Sequence, residues 1–237
     1  MHDIRALAID FSGTLAWPGP NPDASLVASV LADLLGRPLP AAFREAFDAV
    51  EDEVARADRR AHTHTAFATV IAQAAARSGA DVPDPVAAAE AVFAAVPDAA
   101  VDPEAAAAVR RLHRRGWRCV LACNTERSLR ARKATLTAAG IAHCFADAVL
   151  SCEIGYRKPH PRFYAAVVAA CGVPAEHILF VGDNLAKDVF GPRAHGFQSV
   201  HVPRADRRDG VDLSRPDTLR HISELPDYLG ALGAVPV

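Results

Sequence analysis

Ile4-Arg5-Ala6-Leu7-Ala8-Ile9-Asp10-Phe11-Ser12-Gly13-Thr14-Leu15 opens the chain with an apolar run that stops at a carboxylate. A short run of this kind, ended by a glycine-bearing turn, reads as a strand buried on both faces. Such strands belong to parallel sheets covered by helices. Ligands of open parallel sheets bind beyond the carboxyl ends of the strands. Asp10 stands at one such end, so polar residues placed directly after other apolar runs become the ones of interest.

Outward from this stretch, Trp17-Pro18-Gly19-Pro20-Asn21-Pro22 breaks regular structure. Residues 23–96 are rich in alanine and charge, with apolar residues such as Leu26, Val30, Leu34 and Leu35 at helical spacing. They predict several helices and no strand. After Pro97 the pattern alternates. Asp102-Pro103 is a helix start, with Gly116 as the stop. Strands are expected over 117–123, near 148–150, and over 178–181 and 198–202. Helices are expected from Ser128 to Ala139, Pro161 to Cys171 and Ala186 to His195, closed by Gly140, Gly172 and Gly196. A charged loop over 204–216 and a terminal helix over 217–229 complete the reading. The alternation implies right-handed crossovers and an α/β fold with a parallel sheet covered on both faces. The helical block at 16–97 is then an insertion after strand one.

Composition narrows the function classes. Hydrophobic residues make up 51% of the chain against 23% charged, enough for a core and contrary to disorder. Net charge is −2, from 26 basic and 28 acidic residues, which gives no electrostatic ground for nucleic acid or an anionic membrane as partner. No apolar run approaches the roughly 18 residues of a membrane span. Met1-His2-Asp3-Ile4-Arg5 lacks the basic-then-apolar order of a signal peptide, so a cytoplasmic protein is expected. Cys119, Cys123, Cys144, Cys152 and Cys171 are odd in number and form no Cys-x-x-Cys pair, which favours reduced, buried thiols. The sequence sets no oligomeric state.

Four strand ends carry chemistry. They are Asp10 with Ser12 and Thr14, Cys123 with Asn124, Lys158 in Gly155-Tyr156-Arg157-Lys158-Pro159, and Gly182-Asp183 with Asp188. Asp10 and Asp183 are placed to share a divalent cation, and carboxylates with carbonyls suit magnesium, Mg2+. Without a cation, converging carboxylates would repel and raise one another's pKa. Lys158 offsets that charge and can contact an anionic, small-molecule substrate. An aspartate so placed can act as a nucleophile and form an acyl phosphate. A single aspartate after a strand is more often a helix cap or turn former. The specific signal is the ordered set, each member at its own strand end.

That set resembles the haloacid dehalogenase (HAD)-like hydrolase superfamily, in its helical-cap branch. The family pattern is Asp-x-Asp-Gly-Thr-Leu, a Ser or Thr at the next motif strand, Lys-Pro, and Gly-Asp-x-x-x-x-Asp. Here it stands as Asp10-Phe11-Ser12-Gly13-Thr14-Leu15, Cys123-Asn124, Lys158-Pro159 and Gly182-Asp183-Asn184-Leu185-Ala186-Lys187-Asp188. The resemblance implies a Rossmann-like, doubly wound catalytic core of residues 1–15 and 98–237, with a helical cap domain of residues 16–97. It implies a magnesium-dependent phosphatase of a small phosphorylated metabolite. Asp10 would be the nucleophile, and Asp10, the Ser12 carbonyl and Asp183 would hold the metal, supported by Asp188. Lys158 would hold Asp10 and the transferring phosphoryl group, Ser12, Cys123 and Asn124 would face the substrate, and Thr14 would brace the loop.

Two positions depart from the pattern. Ser12 replaces the second aspartate, which in the family's phosphatases protonates the leaving alcohol and later activates water. Serine keeps the backbone carbonyl but does no acid–base work near pH 7, where such help is worth about 10²–10⁴-fold. Cys123 replaces a serine or threonine, and a thiol is a poor hydrogen-bond donor to phosphate. Water or a cap residue among Arg59, Arg60, His62 and His64 could substitute for the acid, although a solvated helix face is the ordinary reading of that run. Other chemistries weigh against this one. Phosphonate cleavage needs a cap lysine, and residues 16–97 contain none. Carbon–halogen hydrolysis usually has an aromatic residue at the position of Ser12 and needs no magnesium, which Asp183 and Asp188 speak against. A weakly catalytic binding or regulatory protein would rest on the absent aspartate alone. Trp17 is expected to pack rather than line the entrance.

Overall fold

The computed structural model describes residues 3–204, 206 and 210–236. Met1 and His2 of the N-terminal reading, and residues 205 and 207–209 of the charged 204–216 stretch, lie outside the described residues.

Among the described residues, five parallel strands form one sheet: β1 (Ala6–Ile9), β4 (Arg118–Cys123), β5 (Phe145–Leu150), β6 (Ile178–Gly182) and β7 (Gln198–His201). Their order is β5-β4-β1-β6-β7. The chain leaves β1 for the β4 side and returns to β6 on the other, so the strand order reverses between β1 and β6. Open parallel sheets bind their ligands at such a reversal, beyond the carboxyl ends of the strands. Both faces of the sheet are covered. Leu7 and Ile9 of β1 pack in one apolar cluster with Val109 and Leu112 of α5 (Pro103–Arg114) and Leu225 of α10 (Leu225–Ala231). Ala6 and Ala8 face the other way, onto Phe163 and Val167 of α8 (Pro161–Cys171). All four residues of β1 are buried, as an apolar run in a doubly covered sheet requires.

The helical cap lies between β1 and β4. It consists of α1 (Ala24–Leu35), α2 (Phe43–Ala61), α3 (Phe67–Ser78) and α4 (Pro85–Ala95). Asp23 caps α1 through the Leu26 N–H, and Asp84 caps α4 with Pro85 in its first turn. These helices enclose their own apolar cluster, separate from the core. A chain of rings from Phe43 through Phe47 and Phe67 to Phe93 runs through it, at centroid separations of 6.3, 5.8 and 4.9 Å. Each such buried side chain contributes about 1.5–3 kcal/mol.

Four features depart from expectation. The stretches flanking the cap form a two-stranded antiparallel ribbon, β2 (Ala16–Trp17) with β3 (Ala100–Val101), that the proline-rich sequence did not signal. Trp17 does not pack: it is 56% exposed on this ribbon. The terminal helix is only Leu225–Ala231, because Thr218 bridges to His201 and continues the edge of the sheet. Finally, the expected helix from Ala186 begins as a π-helical turn, Leu185–Phe190, before α9 (Gly191–Ala194). The remaining core elements fall within a few residues of expectation, with α6 at Leu129–Ala138 and a short α7 at Ser151–Ile154 after β5.

Candidate active site

Register brings the first and last motifs together. Ile9 pairs with Val181 on β6 and with Leu121 on β4, so the next residues, Asp10, Gly182 and Ala122, stand level. The Asp10 N–H donates to the Val181 carbonyl at 2.9 Å, which fixes the carboxylate at the sheet's edge. Gly13 follows with φ +87°, a conformation natural to glycine, and turns the loop back. A methyl there would lie 2.5 Å from Asp183 Oδ2, so Gly13 is also what lets Asp183 come close.

Lys158 enters from the loop between α7 and α8. Its ammonium donates to Asp10 Oδ1 at 2.7 Å, Asp188 Oδ1 at 2.7 Å and the Ala122 carbonyl at 2.9 Å. All three N–H groups of the ammonium are therefore used by protein acceptors. Asn124 holds the lysine's backbone on both sides, accepting from the Lys158 N–H at 2.9 Å and donating to its carbonyl at 3.3 Å. Thr14 donates to Asp10 Oδ2 at 3.4 Å, in keeping with a bracing role.

Asp188 reaches the same centre because of the π-helical turn. Asn184 caps this turn, accepting from the Ala186 and Lys187 N–H groups, and its own N–H donates to Asp188 Oδ2 at 3.0 Å. The wide turn is a device common at functional sites. Gly182 makes room for it: a methyl there would lie 2.4 Å from Asp188 Cγ. Gly182→Ala is expected to push Asp188 off Lys158 and to cost about 1–3 kcal/mol by overpacking. Thermal denaturation of the variant checks this, and an unchanged Tm would refute it.

One oxygen from each of Asp10, Asp183 and Asp188 lies within 4.8 Å of the others. Asp10 and Asp188 are buried, and Asp183 is half-buried. Burial raises the Asp188 carboxyl despite its contact with Lys158. Burial also penalises the Lys158 charge, but Asp10 and Asp188 together outweigh it and hold the ammonium above the ordinary lysine range. Three acidic side chains against one ammonium leave the cluster short of positive charge. Arg204, whose charge reaches Asp183, is itself paired with Asp206. A compact set of hard oxygen donors with that deficit fits a small divalent cation such as Mg2+.

The other expected residues are placed as follows. Ser12 is exposed and lines a cavity of 240 Å3 together with Asn124. Cys123 is 2% exposed and packs with Leu121 in the core. Burial pushes its thiol up to about 12, so it is neutral. Arg59, Arg60 and His62 are exposed, the solvated reading. His64 is not: its ring is buried, with Nε2 at 3.0 Å from Glu126 Oε2 and Nδ1 buried without a partner.

The sequence did not single out the groups that seat the cap. Asp98, on the return from the cap, pairs with Arg127 at 2.9 Å and Arg132 at 3.1 Å, and accepts from the Thr135 hydroxyl. Arg127 also donates to the carbonyls of Phe93, Val96 and Pro97 at the end of α4. Arg132 lies 3.9 Å over the Phe11 ring. On the opposite side, the cap loop after α2 joins the lysine's loop through backbone bonds: the His64 N–H donates to the Gly155 carbonyl at 2.9 Å, and the Arg157 N–H to the His62 carbonyl at 3.0 Å. The only legible hint of the first group was the change of pattern after Pro97.

Comparison with known proteins agrees with this geometry. A family model described as haloacid dehalogenase-like hydrolase matches residues 4–196. A phosphoserine phosphatase of Thermus thermophilus is 39% identical over 115 residues, covering 48% of this chain and 45% of that protein. A phosphoglycolate phosphatase of Cereibacter sphaeroides is 34% identical over 131 residues, covering 54% of this chain and 57% of that one. The chain thus spans about half the length of these curated relatives. Among solved structures, a 2-haloacid dehalogenase from Pseudomonas syringae aligns with a TM-score of 0.68 at 20% identity, over 97% of this chain and 99% of that one. The HAD-hydrolase YfnB from Bacillus subtilis, bound to magnesium, aligns at 0.54 and 18% identity, over 95% and 98%. Likeness at that identity concerns the fold alone.

Proposed function

Because the chain belongs to the haloacid dehalogenase-like hydrolases, we propose that it is a magnesium-dependent phosphatase of a small phosphorylated metabolite. One observation carries the reading: Asp10, Asp183 and Asp188 converge within 4.8 Å beside a buried lysine. The curated relatives named above are phosphatases of small phosphorylated acids, which supports the substrate class. Asp10 is the nucleophile. Its Oδ attacks phosphorus as the bond to the leaving oxygen breaks, and water then cleaves the aspartyl phosphate, freeing Asp10 and inorganic phosphate. Lys158 holds and aims the Asp10 carboxylate. A phosphoryl oxygen reaches the ammonium only by displacing one of its three acceptors, so Lys158 acts chiefly on Asp10.

Asp10, Asp183, the Ser12 carbonyl and Asp188 would hold the Mg2+. When bound, the ion supplies positive charge against the phosphoryl oxygens. Ser12 has no proton to exchange near pH 7, so water serves the leaving oxygen in this chain. Cys123, neutral and packed, leaves Asn124 and backbone N–H groups as the donors nearest the phosphoryl group. Residues 16–97 act as the cap over this centre and residues 1–15 and 98–237 as the core.

The test combines binding with turnover. Calorimetry is expected to show Mg2+ binding to the whole chain and its loss in Asp183→Asn. Phosphate release from p-nitrophenyl phosphate is expected to stop on chelation. No binding, or halide release from 2-chloropropionate without metal, would overturn the reading.

A further inference from the structure

The cavity that carries Ser12 and Asn124 also carries three arginines, Arg127, Arg132 and Arg157. Two of them are spoken for. Arg127 and Arg132 are paired with Asp98; Arg127 also donates to the Phe93, Val96 and Pro97 carbonyls and Arg132 Nη2 to the Thr125 hydroxyl, while Arg132 Nε is buried without a partner. Arg157 differs. Its backbone is fastened at both ends, the N–H to the His62 carbonyl and the carbonyl to the His160 N–H at 2.8 Å. Among the described residues its guanidinium has no ion pair and no hydrogen bond, although the residue is half-buried. It is a charge on a fixed stem, one residue before the lysine that touches Asp10.

A planar guanidinium with five free donors in a polar cleft matches a carboxylate or phosphate in bidentate fashion. The phosphoryl group is already claimed by the centre around Asp10. The neighbouring acids do not fill the role either, since Asp98 faces Arg127 and Arg132, and Glu126 faces His64. A cavity of 240 Å3 beside Ser12 suits a small molecule. We propose that Arg157 binds a carboxylate carried by the substrate, so that the enzyme selects small phosphorylated carboxylic acids over phosphate esters lacking the acid. This deepens the phosphatase reading and rests on it.

Matched esters test it. Phosphate release is measured from 2-phosphoglycolate against ethyl phosphate, and from O-phosphoserine against phosphoethanolamine, in the wild type, Arg157→Met and Arg157→Lys. The wild type is expected to favour the acid of at least one pair by about 10–100-fold in kcat/KM, carried mainly by KM. Arg157→Met is expected to bring that ratio to near one, and Arg157→Lys to restore part of it. Since the guanidinium bonds nothing among the described residues, circular dichroism is expected to match in all three. Turnover of the esters with no acid preference, or a preference that survives in Arg157→Met, overturns the proposal and leaves the phosphatase reading standing. No phosphate from any ester, p-nitrophenyl phosphate included, overturns both.

Discussion

Asp10→Asn is expected to lower phosphate release by at least about 10³-fold, since it removes the attacking oxygen from a multistep covalent mechanism. The amide keeps the shape of the side chain and can still accept from Lys158, which retains Asp188 and the Ala122 carbonyl as partners. The fold should therefore persist, and far-ultraviolet circular dichroism should match the wild type. The telling measurement is an acid quench with phosphorus-labelled ester. Wild type is expected to carry covalent label on Asp10 and the variant none. Turnover retained in Asp10→Asn would remove Asp10 as nucleophile, whatever the metal does.

Ser12→Asp is expected to raise kcat on unactivated alkyl phosphates by about 10²-fold, at the lower end of general acid–base help. Ser12 is exposed at the cavity wall, so a carboxylate there stays solvated and escapes the burial that raises Asp188. The same argument makes hydrolysis of the aspartyl phosphate slow in the wild type, so label should build up in a rapid-quench burst and vanish in Ser12→Asp. Activated esters such as p-nitrophenyl phosphate should gain less, because their leaving group needs no proton. A slower Ser12→Asp enzyme would show that serine serves a different reaction.

The parallel sheet was legible because β1 and β6 are apolar runs buried on both faces, a pattern few other settings produce. Asp10, Lys158, Asp183 and Asp188 were legible for the same reason, as each follows an apolar run or lies in a short motif tied to one. The turn at Leu185–Phe190 was not, since a π-helical turn and an α-helix share their residue preferences and differ only in how Asp188 is drawn inward. The terminal segment misled because its helical spacing continues back through Thr218, which the sheet edge claims instead. Trp17 was read by the usual habit of large aromatic residues, which the two-residue ribbon overrides. Asp98 with Arg127, and His64 with Glu126, join residues 29 and 62 positions apart, beyond any local pattern.

The backbone bridge between Thr63 and Tyr156 governs how the cap is held on the side of Lys158. Lifting the cap on that side means unzipping two main-chain bonds, at a net cost of about 1–3 kcal/mol, small enough for thermal motion. The strip left on the core side, residues 155–157, is contiguous with Lys158. Lys158 itself stays fastened through Asn124, Asp10, Asp188 and the Ala122 carbonyl, so the cap can part on that side without disturbing the lysine's own contacts.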